Sequence, residues 1–179
     1  MTDWHSEEPS LRIKDIVRQG DAEALDTYLD TLSPGQVARA VSMLDDATQG
    51  RVLQLLDPGD AADLIEELSD VQGADLIEEI PAAYAAAIVD AMDSDHRVDV
   101  LAEMDAVDAE AILQKMAPEE AEDARSLLVY PDDTAGGTMV TEFLVYPGSR
   151  RVSDVLKDLR SNVDEYAEYG LHYVYVHSE

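Results

Sequence analysis

The residues best suited to chemistry in this chain are carboxylates. Asp95 and Asp99 lie four apart, a spacing that sets both on one face of a helix with their oxygens able to converge. Asp63, Glu66 and Glu67 form a second acidic group. Such groups suit a hard divalent cation, which takes oxygen ligands and keeps part of its water shell. Softer chemistry finds little support. The absence of Cys excludes disulfides and thiolate metal sites, and His5, His96, His172 and His177 show no metal spacing, so they read as solvated or packed. There is no Gly-rich phosphate loop, nucleophile elbow or Ser/His/Asp spacing. Asp and Glu are so abundant that a glycosidase-like pair could be drawn anywhere and carries no information. No enzyme is expected.

Charge narrows the partners. Lys and Arg number 12 against 40 Asp and Glu, a formal net charge of -28 over 179 residues. A polyanion would be repelled, so nucleic acid is not expected as a partner. Two sources of the acidity compete. A salt-rich cytoplasm favours acidic surfaces poor in Lys, and the lysines are Lys14, Lys115 and Lys157 alone. Local sites for divalent ions would also gather carboxylates, and the two accounts are compatible.

The elements that must position these groups come from a repeat. From Ser33 to Leu128 the sequence recurs every twelve residues through eight units, beginning at Ser33, Asp45, Asp57, Ser69, Pro81, Asp93, Asp105 and Ala117. Each unit closes on an aliphatic residue or Met, as at Leu68, Ile80, Met92 and Met104. Apolar residues also recur at the eighth and ninth places, and the fifth is often small, as Ala61, Gly73, Ala85, Ala109 and Ala121. Places 5, 8, 9 and 12 trace one face of a helix, while Ser, Asp and Pro at the first place suit a helix start. Met92, Met104 and Met116 therefore read as core rather than as a soft-metal box. A helix of two to three turns does not persist alone. The short links predict antiparallel hairpins stacked into a mainly α, right-handed superhelix.

Before the repeats, Met1 to Pro9 reads as a loose leader. A helix over Ser10 to Val17, capped by Ser10, should stop at Gly20, and a second should run from Asp21 to Leu32 with Ala24, Leu25, Tyr28 and Leu29 inward. After Leu128, Val129 to Met139 carries Pro and paired Gly and reads as a linker. Thr141 to Tyr146 is β-rich, Arg151 to Asn162 has Val152, Val155, Leu156 and Leu159 at helical spacing, and Leu171 to Val176 is β-branched and aromatic. This β-α-β segment resembles the front of a domain, because a lone crossover leaves its sheet edges unpaired. No secretory leader and no apolar run near the ~20 residues of a membrane helix is present, so the chain reads as soluble.

The short acidic repeats lead into Tyr130-Pro-Asp-Asp-Thr-Ala-Gly-Gly-Thr-Met-Val-Thr-Glu-Phe143. This resembles the YPEDTAGxxMTxEF signature that joins the N-terminal domain of MgtE magnesium transporters to their paired CBS domains. Asp132 stands where Glu is usual, and Val140 separates Met139 from Thr141.

The resemblance implies an N-terminal α-superhelical domain over residues 1–128, a linker over 129–139 and a truncated CBS segment over 140–179. It also implies a cytosolic Mg2+ sensor of a dimeric channel, whose remaining CBS and transmembrane domains lie outside this chain. In that family Mg2+ between the N and CBS domains bridges carboxylates and favours the closed state. The expected Mg2+ ligands here are Asp95, Asp99, Asp63, Glu67 and the backbone at Gly136. Adenine nucleotide, which CBS modules often bind, would need a second half-module absent here. The alternative reading is an acidic helical-repeat adaptor for a partner protein, its charge due to salt alone.

Overall fold

The computed structural model describes residues 8–131, 133–141, 143–163, 166 and 173–178. They fall into two compact units that divide between Thr138 and Met139. The expected leader, apart from its last two residues, lies outside the described residues, as do His5, His172 and Asp132.

The first unit is a string of ten helices: α1 (Pro9–Gln19), α2 (Ala22–Leu29), α3 (Pro34–Ser42), α4 (Asp46–Leu55), α5 (Pro58–Glu66), α6 (Asp70–Glu78), α7 (Ala82–Ala91), α8 (Ser94–Glu103), α9 (Ala106–Leu113) and α10 (Pro118–Leu127). The first place of every twelve-residue unit is the residue that caps a helix, from Ser33 before α3 to Ala117 before α10. Asp45, Asp57, Ser69 and Asp105 accept hydrogen bonds from the first turn of their own helices, satisfying N–H groups that the helix leaves unpaired.

The fifth, eighth and ninth places supply most of the core. In α5 these are Ala61, Leu64 and Ile65, and in α7 Ala85, Ile88 and Val89, all buried. Met92, Met104 and Met116 are buried as well. Each large aliphatic side chain removed from water contributes about 1.5–3 kcal/mol. The helices pack most extensively on the helix two along, α5 on α7, α6 on α8 and α7 on α9, and less on their immediate neighbours. Close approach in these rows explains Gly73. A Cβ there would sit 2.9 Å from Ile65 Cγ2 and 3.3 Å from Val100 Cγ2, closer than side chains pack.

A second set of caps runs between helices. Glu66 Oε1 accepts from the Asp93 N–H at 3.0 Å, Glu78 Oε1 from Asp105 at 2.8 Å and Asp90 Oδ2 from Ala117 at 3.1 Å. Each pair is 27 residues apart, linking the tenth place of one unit to the first place three units on. At Pro81, which has no N–H to satisfy, the residue 27 positions earlier is the uncharged Gln54.

Three local expectations change. Ser10 is buried rather than capping, because α1 starts one residue earlier with Pro9 in its first turn. The second helix ends at Leu29, and a turn follows through Leu32. Of its inward residues Leu25 is fully buried, while Ala24, Tyr28 and Leu29 are partly buried against the core.

The second unit holds β1 (Leu144–Pro147), α11 (Val152–Ser161) and β2 (Val174–His177). The strands pair in parallel, Leu144 opposite Val174 and Pro147 opposite His177, with α11 in the crossover. β2 begins later than the composition suggests, and residues 171 and 172 of the expected strand are outside the described set. The stripe on α11 is not buried: Val152 and Leu156 are exposed, and Val155 and Leu159 are half-covered. Two short strands offer too little surface to cover a helix face. Tyr146 is buried and ties β1 to α11 by donating its hydroxyl to Asp158 Oδ2 at 2.6 Å. The Arg150 guanidinium stacks on its ring at 4.6 Å.

Candidate metal centre

Asp95 and Asp99 occupy successive turns of α8, both half-exposed. Asp95 Oδ1 accepts from the His96 N–H at 2.9 Å and lies 3.4 Å from His96 Nδ1. Asp63 and Glu67 sit elsewhere, on the rim of a groove of about 250 Å³ with Asp26, Asp30 and Asp60. Leu29, Leu56 and Leu64 lie beneath them. The Asp60 carboxyl is held above the usual carboxylate range by burial and by the charges of Asp26, Asp57, Asp63 and Asp30.

Gly136 is half-buried beyond α10, within the first unit. A Cβ on it would fall 2.5 Å from the Tyr130 ring, so the backbone passes the ring at a distance only Gly permits. The turn is closed by the Gly137 N–H donating to the Thr134 carbonyl at 3.1 Å.

The tightest gathering of ligand-type side chains among the described residues is one that spacing in sequence does not suggest. Glu66, Asp93 and His96 each place a ligand atom within 4.8 Å of the others. Glu66 ends α5, Asp93 caps α8 and His96 lies in the first turn of α8. The bond from the Asp93 N–H to Glu66 draws these two helix ends together. Burial is the main cause that pushes the Glu66 carboxyl up, aided by the charges of Asp93 and Asp63, against the Asp93 N–H and His96, which favour its ionised form. His96 Nδ1 is shielded from solvent and makes no hydrogen bond.

Just beyond this cluster Arg97 takes the fifth place of its unit, where most units carry Ala or Gly. It is 3% exposed. Its Nε donates to the Val89 carbonyl at 3.0 Å, its Nη2 to the carbonyls of Asp90 and Met92 at 3.2 and 2.9 Å, and its Nη1 to Glu120. It thereby caps the end of α7 and ties α8 to α10. Gln49, at the same place two helix pairs earlier, donates likewise to the Val41 carbonyl at 2.8 Å. A large polar residue at a place that is mostly small and otherwise apolar is the signal that would have found both.

With this geometry in hand, the comparisons with known proteins are unambiguous on class. The sequence model of the MgtE intracellular N domain matches residues 14–133, and the chain belongs to that family. Its placement is accordingly intracellular, and among the described residues no helix is long and apolar enough to cross a membrane. Two solved structures share the fold. The soluble part of a magnesium transporter superposes with a TM-score of 0.79 at 24% identity, covering 97% of this chain and 68% of that one. The cytosolic domain of the Mg2+ channel MgtE in complex with ATP gives 0.80 at 23%, covering 95% of this chain and 69% of that one. Comparison with curated proteins gave no match.

Proposed function

We propose that this chain is a cytosolic Mg2+-sensing element of an MgtE-like channel, regulatory rather than catalytic. In this reading residues 1–128 are the N domain, 129–139 the linker and 140–179 the first part of a CBS domain. The full protein is a dimer that carries the remaining CBS and transmembrane parts. The observation that carries the reading is the gathering of Asp26, Asp30, Asp60, Asp63 and Glu67 around one groove, where burial first and the neighbouring charges second hold the Asp60 carboxyl above its usual range. Residues that repel each other in this way store an unfavourable term that a divalent cation relieves.

Asp63 and Glu67 on the groove, Asp95 and Asp99 on α8, and the Gly136 carbonyl are the oxygen donors assigned to Mg2+. An all-oxygen donor set suits this ion, which supplies two positive charges between surfaces that otherwise repel. Without it the acidic face of the helical array is held away from any acidic partner. With it the compact, closed arrangement is favoured by the difference in affinity between the two states. The ATP in the complex named above belongs to that protein.

The test is thermal unfolding with added Mg2+ at ~1 M KCl, where diffuse screening is saturated. A saturable rise in melting temperature, lost in the Asp95→Asn/Asp99→Asn double variant, is expected, because only ligands that favour the folded state raise it. A response no larger than that to matched ionic strength overturns the assignment of a Mg2+ site to this chain alone and favours the adaptor, or a sensor whose sites exist only in the full assembly.

A further inference from the structure

We propose that Glu66, Asp93 and His96 form a second metal site, selective for a first-row transition ion such as Mn2+ or Zn2+ rather than Mg2+. The donor set decides the class. An imidazole beside two carboxylates suits divalent first-row ions, which accept nitrogen as well as oxygen, whereas Mg2+ takes oxygen and gives up its water reluctantly. The site lies within one compact unit and needs no ligand from elsewhere.

Its geometry is close to what such an ion requires. Bonds of about 2.0–2.2 Å to nitrogen and oxygen set ligand atoms roughly 3 to 4 Å apart around one centre. The three atoms here lie within 4.8 Å, so small side-chain rotations close the shell and water fills the remaining positions. The Asp93 N–H already holds Glu66 through Oε1, and its second oxygen is available to the ion.

One ring nitrogen of His96 supplies the third ligand atom, and each choice of nitrogen has its own consequence. Ligation by Nδ1 satisfies the buried nitrogen that has no hydrogen-bond partner. Ligation by Nε2 turns an Nδ1–H toward Asp95 Oδ1, 3.4 Å away, the carboxylate–imidazole–metal relay common in metal sites. The start of α8 carries a partial positive charge of about one half that opposes a cation, and the two carboxylates outweigh it. An ion held there staples the end of α5 to the start of α8, three repeats on, and gives the array a response to a metal other than Mg2+.

The full chain is titrated with MnCl2 at ~1 M KCl in a large excess of Mg2+. Free Mn2+ is followed by electron paramagnetic resonance, and His ring protons by NMR. One equivalent bound, with the His96 signals broadened first, is expected. His96→Gln and Glu66→Gln should each weaken binding by about tenfold or more, while Glu66→Gln retains the acceptor for the Asp93 N–H and serves as the folding control. Unchanged binding in both variants, broadening confined to other histidines, displacement by Mg2+ at comparable concentration, or no stoichiometric binding each overturns the proposal. The Mg2+ response of the melting temperature is read separately, so failure here leaves that reading standing.

Discussion

Replacing Arg97 by Met keeps the length of the aliphatic stem and removes the charge and every donor. In the native structure that guanidinium is 3% exposed and serves three carbonyls at the end of α7 as well as Glu120. The carbonyls of Val89 and Met92 lie on the buried side of the turn and lose their side-chain donor in the variant; Val89 keeps the Met92 N–H, so Met92 is the acceptor most exposed to the loss. An acceptor left unsatisfied in the interior costs about 1–3 kcal/mol, and breaking a buried, well-bonded ion pair by removing one partner costs about 3–5 kcal/mol in all. Glu120 is partly exposed and returns to water, which places the expected loss toward the lower end. Urea unfolding followed by far-UV circular dichroism should therefore show a loss of about 3–4 kcal/mol. The melting temperature should fall by about 2–4 °C for each kcal/mol. Arg97→Lys retains the charge with a single point donor and should recover only part of this. A loss below about 1 kcal/mol for Arg97→Met, the scale of one ordinary hydrogen bond, would refute the claim that this side chain locks α7, α8 and α10.

Glu78→Ala removes the acceptor for the Asp105 N–H and should cost about 0.5–2 kcal/mol in the same assay, with Glu78→Gln close to native. Gly136→Ala forces a Cβ against the Tyr130 ring and should cost about 1–3 kcal/mol through displacement of the turn. Asp90 has its carboxyl raised, chiefly by burial, with Asp90 Oδ1 unpartnered. A raised carboxyl stabilises the folded state fully below the ordinary Asp value, and this is lost as pH rises through the raised value. Native protein should thus gain stability relative to Asp90→Asn as pH falls through that window, checked by paired urea curves. The Tyr146 phenol, pushed up to about 12 chiefly by its hydrogen bond to Asp158, should titrate well above the ordinary phenol range by ultraviolet absorbance. Its contribution is full below about 10 and lost as pH rises through the raised value. Asp158→Asn should bring the titration back toward the ordinary range.

The repeat was legible because one-dimensional spacing maps directly onto one helix. Apolar places three and four apart must share a face, and a capping residue precedes the first turn, so every helix from α3 to α10 starts where the register puts it. Relations between helices were not legible in the same way. Glu66 reaches Asp93 across 27 residues, and which acid meets which N–H depends on the rise and turn of the stacked array. The cluster of Glu66, Asp93 and His96 was missed for that reason, since ligand spacing detects partners on one element only. Arg97 was visible in principle as a breach of a small-residue place, and its meaning required the carbonyls of the preceding helix.

The acidity of the chain divides by use. At the first place, Asp45, Asp57 and Asp105 cap their own helices, and at the tenth, Glu66, Glu78 and Asp90 cap a helix three units on. These charges are neutralised in part by the N–H groups and dipoles they face, so the fold already employs them. Asp26, Asp60 and Asp63 make no side-chain hydrogen bond or ion pair to any described residue, and with Asp30 and Glu67 they face one another across an apolar floor. A monovalent salt screens this repulsion diffusely, whereas a divalent ion relieves it locally. Substituting the capping acids Glu78, Asp90 and Asp105, which stand apart from the groove, should therefore change stability with little effect on the Mg2+ increment. Substituting Asp60 and Asp63 with Asn should change the increment, and raise the stability measured without Mg2+, because like charges are removed and no cap is lost. Urea curves with and without Mg2+ separate the two classes. Equal loss of the increment from both would refute the division.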